Sequence, residues 1–531
     1  MLQNKILKEN EWVRTILGLT LVLSFFVRFY PVFKAGFPIN DGGMFLVMIR
    51  DLKTNGFLLP AFTSYNQAEI PFTYPPLGFY LAAAISFLGF PEIEILRWLP
   101  MVVNLISILA VYLLASSLTN DKPFGALTAG FYGLIPGGYG WYIMGGGLTR
   151  GLGGLFLILS VSTLLKVFRK GLWRDIVLTS ALCALAILSH PEAAIHTAAS
   201  CALVWLFFGR SYRGTIHAAL IAIGAIAFSS PWWLTNLSLH GPQPFISAFY
   251  SGYYGASVVK QLLRDVFYRG SLIPVILVLR VAGIAWAAWD RKYFILTWMV
   301  IPYLVEPRSA SAVSYYAFCV LIALGLTGAI LNLVLLIKKR LGSNVTKSKE
   351  EVRDDVGEKD ANLPHWHEMH WMNLTILTLL FYLFLDSLLY SFPLINTTLQ
   401  KDSLEVMEWA QANTPVGSSF LIMRGDSGVM VDPVQEWFPA IAQRRSNTTL
   451  QGLEWTLNSG FPRRLNELKG LQDCEELSCV EDWAELNSLH YTHLMLDHTR
   501  LSNSFISSIY SDPAYELIFA NDQYTLYETK P

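Results

Sequence analysis

Asp41 lies in a short loop, Phe37-Pro-Ile-Asn-Asp-Gly-Gly-Met44, directly after the first apolar run of the chain. A carboxylate is costly near hydrocarbon, so an acid kept at a membrane boundary marks a functional position. There it can act as a general base, taking the proton of a hydroxyl or amine acceptor. It can also cap a helix starting near Met44, since Asn40 and Asp41 are both good N-caps. Arg150 lies in Gly145-Gly-Gly-Leu-Thr-Arg-Gly-Leu-Gly-Gly154. That run lacks the Lys-Ser/Thr ending of a P-loop, and helix packing accounts for most of its glycines. Arg150 itself can meet a phosphate or snorkel to lipid headgroups. His190-Pro-Glu192, with His196 one turn on, can line a cavity. These residues can also supply ligands to a divalent metal, with Asp41 as a further ligand, or form a self-satisfied polar turn. Arg308, in Glu306-Pro-Arg308, can grip a phosphate with its fork or pair with Glu306. His365-Trp-His-Glu-Met-His370 gathers ligand-type residues without the zinc-protease spacing. It reads as a juxtamembrane segment anchored by Trp366 and Trp371.

The elements that must hold these residues are apolar helices. Of 531 residues, 53% are hydrophobic and only 15% are charged, which excludes an ordinary soluble domain. Twelve apolar segments recur between Val13 and Phe392, so the chain is a polytopic α-helical membrane protein. The first segment is long and no small-residue cleavage site follows it, so a cleavable signal is not expected. No basic patch suggests nucleic acid. Basic loops at Arg169-Lys170, Arg210, Arg291-Lys292 and Lys338-Lys-Arg340 recur every second connection. With Lys5, Lys8 and Arg14 they place the N-terminus in the cytoplasm. The candidate residues and the C-terminal tail then fall outside. An odd number of crossings follows, so Tyr74 to Phe90, the weakest segment, is expected to dip in at the membrane edge. Eleven crossings result, or thirteen if a discounted segment also spans.

The expected organisation is a transmembrane domain, 1–395, and an extracytoplasmic α/β domain, 396–531. The first carries an external loop at 34–96, a long external loop at 233–270 and a charged cytoplasmic linker at 341–362. In the tail, helices are expected at Leu404–Ala412 and Val434–Ala442, and strands at Ser419–Met423 and Thr492–Leu496. Leu517–Ala520 and Tyr524–Tyr527 are expected to pair around Asn521-Asp522. Cys474 and Cys479 can form a small disulfide if that end is extracytoplasmic. Cys183, Cys201 and Cys319 read as inert core residues.

Asp41, the Pro75-Pro76-Leu77 that closes the first loop, and the long loop about seven crossings in together resemble the GT-C glycosyltransferases. The likeness is to bacterial members similar to protein mannosyltransferases and aminoarabinose transferases, and it covers Val13 to about Ile337. It implies a polyprenyl-phosphate sugar donor and transfer on the outer face to a glycan, lipid or protein acceptor. It also implies Asp41 as base or metal contact, and an arginine on the lipid phosphate. Two features depart from the pattern. Gly42-Gly43 follows Asp41 where many relatives have a second acid, and Tyr74 precedes the prolines where some have Lys or His. Other readings are a lipid-linked oligosaccharide flippase or a polymerase. A flippase would place polar groups near mid-membrane, whereas these map to one face.

Overall fold

The computed structural model describes residues 2–251, 257–268, 272–345 and 365–530. The chain opens with α1 (Leu2–Ala35). The first loop then folds around α2 (Gly43–Thr54), an antiparallel ribbon of β1 (Phe62–Thr63) and β2 (Ile70–Pro71), and α3 (Leu77–Ser86). Next come α4 (Glu92–Thr119), α5 (Lys122–Leu134), α6 (Gly147–Lys170), α7 (Trp173–Ser189), α8 (Pro191–Phe208) and α9 (Tyr212–His240). Two short helices, α10 (Gln243–Ser251) and α11 (Val258–Val266), precede α12 (Val275–Trp289), α13 (Tyr293–Val305) and α14 (Ala310–Leu324). A wider π turn leads from α14 into α15 (Leu331–Val345), and α16 (His370–Ile395) follows.

Among the described residues, seven helical stretches are long and apolar enough to cross a membrane: α1, α4, α6, α8, α9, α14 running into α15, and α16. Helix α3 has ten residues. At about 1.5 Å per residue it cannot span hydrocarbon about 30 Å thick. Helices α5, α7, α12 and α13, with 13, 17, 15 and 13 residues, fall between these limits.

The breaks between helices are written locally. Asp121 caps α5 by accepting the Phe124 N–H at 2.9 Å, and Pro123 opens the first turn. Helix α6 ends at Gly171, whose φ of 65° is left-handed. Pro191 disfavours the helical conformation for the residue before it, and His190 is extended (φ −157°, ψ 135°) and ends α7. Pro191 then starts α8. A histidine is thereby left at the bend between two helices.

The tail holds α17 (Lys401–Asn413), β3 (Ser419–Met423), α18 (Pro433–Ala442), β4 (Arg445–Ser446), α19 (Phe461–Gln472) and α20 (Leu477–Leu486). It ends with β5 (His493–Asp497), α21 (Asn503–Ser511), β6 (Tyr515–Ala520) and β7 (Tyr524–Thr529). The strand order is β4-β3-β5-β7-β6, with β3 parallel to β4 and β5, and β7 antiparallel to β5 and β6. Cys474 and Cys479 are joined by a disulfide at the start of α20. Alternate residues of β3 enter two different cores, as the two-residue period of a strand requires. Leu421 and Met423 pack with α19, α20 and α21. Phe420 and Ile422 pack with Met44, Phe45, Leu46 and Trp437. The tail sheet and the first loop thus share one hydrophobic core.

Three connections expected from the sequence carry structure of their own where described. The first loop, 34–96, is a folded unit clamped by the tail. The long external loop expected at 233–270 is helical where described. Helix α9 continues to His240, and α10 packs on the tail, where Ser247 Oγ donates to the Glu454 carbonyl at 2.7 Å. The charged linker at 341–362 begins as the end of α15, and its remainder lies outside the described residues. The His365–His370 segment packs on α1 through Trp12 and Trp366, whose rings are 5.4 Å apart.

Candidate active site

Asp41 does not cap α2. The residue before that helix is Gly42, and no side chain caps it. The Asp41 carboxylate turns to the start of α6 instead. Its Oδ1 accepts the Gly146 N–H at 2.7 Å, and its Oδ2 pairs with Arg150 Nη1 at 2.9 Å. A second contact, Arg150 Nη2 to Oδ1 at 3.3 Å, makes the grip two-pronged. The positive end of the α6 dipole favours the same placement. Arg150 also stacks on Trp141, 4.1 Å from its ring centre. Glycines permit this approach: a Cβ on Gly145 would lie 1.9 Å from the Asp41 carbonyl oxygen. The glycine-rich run therefore receives the first loop as well as packing helices.

The second group gathers at the bend between α7 and α8 and the turn between α13 and α14. Arg308 Nε pairs with Glu192 Oε1 at 3.4 Å. Glu306, the partner considered from sequence, takes the Arg308 backbone N–H at 2.9 Å with one oxygen. Its other oxygen accepts from Ser309 Oγ at 2.6 Å and meets His196 Nε2 at 3.3 Å. Burial works to raise the Glu306 pKa, but the bonds from His196 and Ser309 outweigh it and hold the carboxyl at about 2. Glu306 is thus a fixed anion that shapes the turn, and the Arg308 side chain reaches Glu192. Arg150, His190, Glu192 and His196 line one cavity with Trp141 and Tyr142. Asp41 and Arg308 are not among the lining residues, and each is ion-paired to one that is. Tyr74 bridges the two groups. Its hydroxyl lies 3.3 Å from Thr149 Oγ1, and its ring centre is 5.9 Å from His190.

The tail adds residues that sequence reading missed. Glu436, in α18, accepts the Gly42 N–H at 2.9 Å. Burial and then the charge of Asp41 push its carboxyl up to about 8. Trp437 donates its ring N–H to the Asn40 carbonyl at 2.8 Å. Trp455 packs on Tyr74 with ring centres 5.8 Å apart, and burial raises the neighbouring Glu454 carboxyl while Arg308 opposes that rise. The available signal was Glu436 itself, an acid set among Val434, Trp437 and Phe438 in an apolar helix.

These residues do not fit a divalent metal as arranged. Both Asp41 oxygens are engaged by Arg150 and Gly146, and among the described residues no three His, Cys, Asp or Glu side chains converge as ligands. A cation here would have to displace a guanidinium.

Residues 73–234 match the family model described as dolichyl-phosphate-mannose-protein mannosyltransferase. That stretch contains Tyr74, Arg150, His190 and Glu192. The archaeal oligosaccharyltransferase AglB from Archaeoglobus fulgidus, in complex with an inhibitory peptide and a dolichol-phosphate, superposes with a TM-score of 0.59 at 15% identity. The match covers 92% of this chain and 69% of that one. ArnT from Cupriavidus metallidurans in the apo state gives a TM-score of 0.56 at 14% identity over 98% of both chains. The chain has the GT-C glycosyltransferase fold. The mycobacterial arabinofuranosyltransferase AftD shares it, with a TM-score of 0.52 at 14% identity over 98% of this chain and 40% of that one. No curated protein sequence matches the chain.

Proposed function

We propose that the chain transfers a sugar from a polyprenyl-phosphate donor to a hydroxyl or amine acceptor at the extracytoplasmic membrane face. The observation that carries this reading is convergence. Arg150, His190 and Glu192, from separate stretches, line one cavity, and Asp41 and Arg308 are ion-paired to two of them. Asp41 is the base. It takes the acceptor proton as the acceptor oxygen or nitrogen attacks the sugar C1 and the C1–O bond to the lipid phosphate breaks. Arg308 receives the departing phosphate, and Arg150 keeps Asp41 aimed. An apolar groove of about 510 Å³ adjoins the site, lined by Phe57, Leu59, Leu77, Tyr80, Phe228 and Trp232. Its position suits the polyprenyl chain of a donor whose phosphate reaches Arg308. ArnT is described as bound to undecaprenyl phosphate, which makes that donor class the first to test.

Assay of the purified protein in detergent with a defined polyprenyl-phosphate sugar tests the proposal directly. Transfer to any acceptor supports it. Movement of the lipid-linked sugar across a bilayer with no transfer would favour a flippase. In the same assay, Arg308→Lys keeps the charge and loses the fork that grips two phosphate oxygens. Donor KM should rise by roughly tenfold, equivalent to about 1.4 kcal/mol, with a smaller fall in kcat. A fall in kcat alone would move Arg308 from binding to chemistry.

The reading also fixes sides. Residues 396–531 form the extracytoplasmic domain and the basic loops face the cytoplasm. A reporter fused after Asn396 should signal outside, and one inserted between Lys347 and Asp360 should signal the cytoplasm. The reverse pattern would put the site on the wrong face.

A further inference from the structure

We propose that Glu436 of the tail is the positioning residue for Asp41, so that α18 supplies the second carboxyl of the active site, one that the first loop lacks. This deepens the proposed function and rests on Asp41 being the base. After Asp41 the loop runs Gly42-Gly43, and neither residue has a side chain to hold it. Gly42 has φ +132°, a conformation that only glycine adopts without strain. Something must fix it, and the Glu436 Oε1 bond to its N–H, at 2.9 Å, does so.

Further contacts lock the same seam. A Cβ on Gly43 would lie 2.6 Å from the Glu436 carbonyl oxygen, and Tyr65 donates its hydroxyl to that carbonyl at 2.6 Å. Asn40 Nδ2 donates to the Val431 carbonyl at 3.0 Å. With Gly42 held from one side and Gly146 binding the Asp41 carboxylate from the other, the base is fixed between tail and α6.

The charged and titratable groups facing Glu436 are Asp41 from the first loop, Arg150 from α6, Glu454 from the tail and the Tyr65 hydroxyl. Burial and Asp41 favour the neutral acid, and the Gly42 N–H and then Arg150 oppose them. The folded pKa, about 8, lies above the ordinary value of about 4.3. The sign follows: the stability gained by keeping Glu436 neutral is fully present at low pH and is lost as pH rises through about 8, although the Gly42 N–H itself bonds more strongly to the carboxylate. Above that point a second negative charge sits against Asp41 and competes for Arg150.

Glu436→Ala and Glu436→Gln test this with the purified full chain. Glu436→Ala releases Gly42, and a base displaced by about 1 Å loses roughly 10²-fold in kcat, with donor KM near the parent's. Glu436→Gln keeps an acceptor for Gly42 and cannot ionise. Its turnover should stay near the parent's at neutral pH and lose the parent's decline on the alkaline side. If Glu436→Ala does not fold, the pH profile of Glu436→Gln decides. Infrared titration of the protonated carboxyl band reads the coupling without activity: Asp41→Asn should lower the pH at which Glu436 ionises. Parent-like kcat in Glu436→Ala, or an alkaline decline retained in Glu436→Gln, would overturn the inference. Asp41→Asn run alongside separates the failures. An active Asp41→Asn sinks the base assignment, whereas an inactive one with indifferent Glu436 variants sinks only this inference.

Discussion

Asp41→Asn should fold, run as a single species and lose roughly 10²–10⁴-fold in turnover, the loss expected when a general base is removed. The substitution is nearly isosteric. Its amide oxygen can still accept the Gly146 N–H that Asp41 takes at 2.7 Å. What disappears is the charge facing Arg150 and the ability to hold a proton. The pair is partly exposed, 13% and 22% for the two side chains, so its loss removes no more than about 1 kcal/mol of stability. Arg150 keeps its place on the Trp141 ring. Donor KM should therefore stay close to the parent's, because the groups assigned to the phosphate are untouched. Full activity in Asp41→Asn would reduce the carboxylate to a brace between the first loop and α6.

Gly145→Ala should be almost as damaging, although it changes no charge. The added methyl would lie 1.9 Å from the Asp41 carbonyl oxygen and 3.2 Å from the Gly42 Cα. Both are backbone atoms, so no rotamer change relieves the clash. The first loop must move off α6 and take the carboxylate away from Gly146. A displacement of about 1 Å at a reacting group costs on the order of 10²-fold. Gly151→Ala is the control from the same glycine run. Its methyl would meet Val103 Cγ1 at 3.4 Å, ordinary contact, so activity should survive. Equal losses in both variants would mean that the run serves helix packing alone. A loss confined to Gly145→Ala ties turnover to the seating of Asp41.

The helices were legible because their signal is local. Each segment named from hydropathy is helical, and α3 has the short length its proline-bounded stretch implied. The tail's strands at Ser419–Met423 and around Asn521-Asp522 were legible for the same reason, through β-branched and aromatic alternation and a turn signal. Asp41, Arg150, His190, Glu192 and Arg308 stood out as polar groups in apolar surroundings. Their partners did not. Asp41 and Arg150 are 109 positions apart, and Glu436 meets Gly42 across 394. No periodicity encodes such a meeting. The Glu306–Arg308 pair considered as one alternative forms through the backbone instead: Glu306 takes the Arg308 N–H, and the guanidinium pairs with Glu192. The helical content of 233–270 was not read because its packing partners are distant: His240 of α9 bonds to the Ala61 carbonyl, and Ser247 of α10 to the Glu454 carbonyl.

The shared core of the first loop and the tail sheet sets an order of assembly. Tyr524 and Leu526 of β7 pack in the core that contains Met44, Phe45 and Leu46 beside Asp41. On a ribosome the loop emerges near the beginning of synthesis and β7 only after every apolar helix has been made. Throughout elongation, then, the membrane holds a bundle whose first loop has no floor. The core beneath the first loop closes only when β7 slots between β5 and β6. An inserted but unfinished chain would be inert, and quality control by a protease that trims the tail would silence the enzyme without removing a single membrane helix.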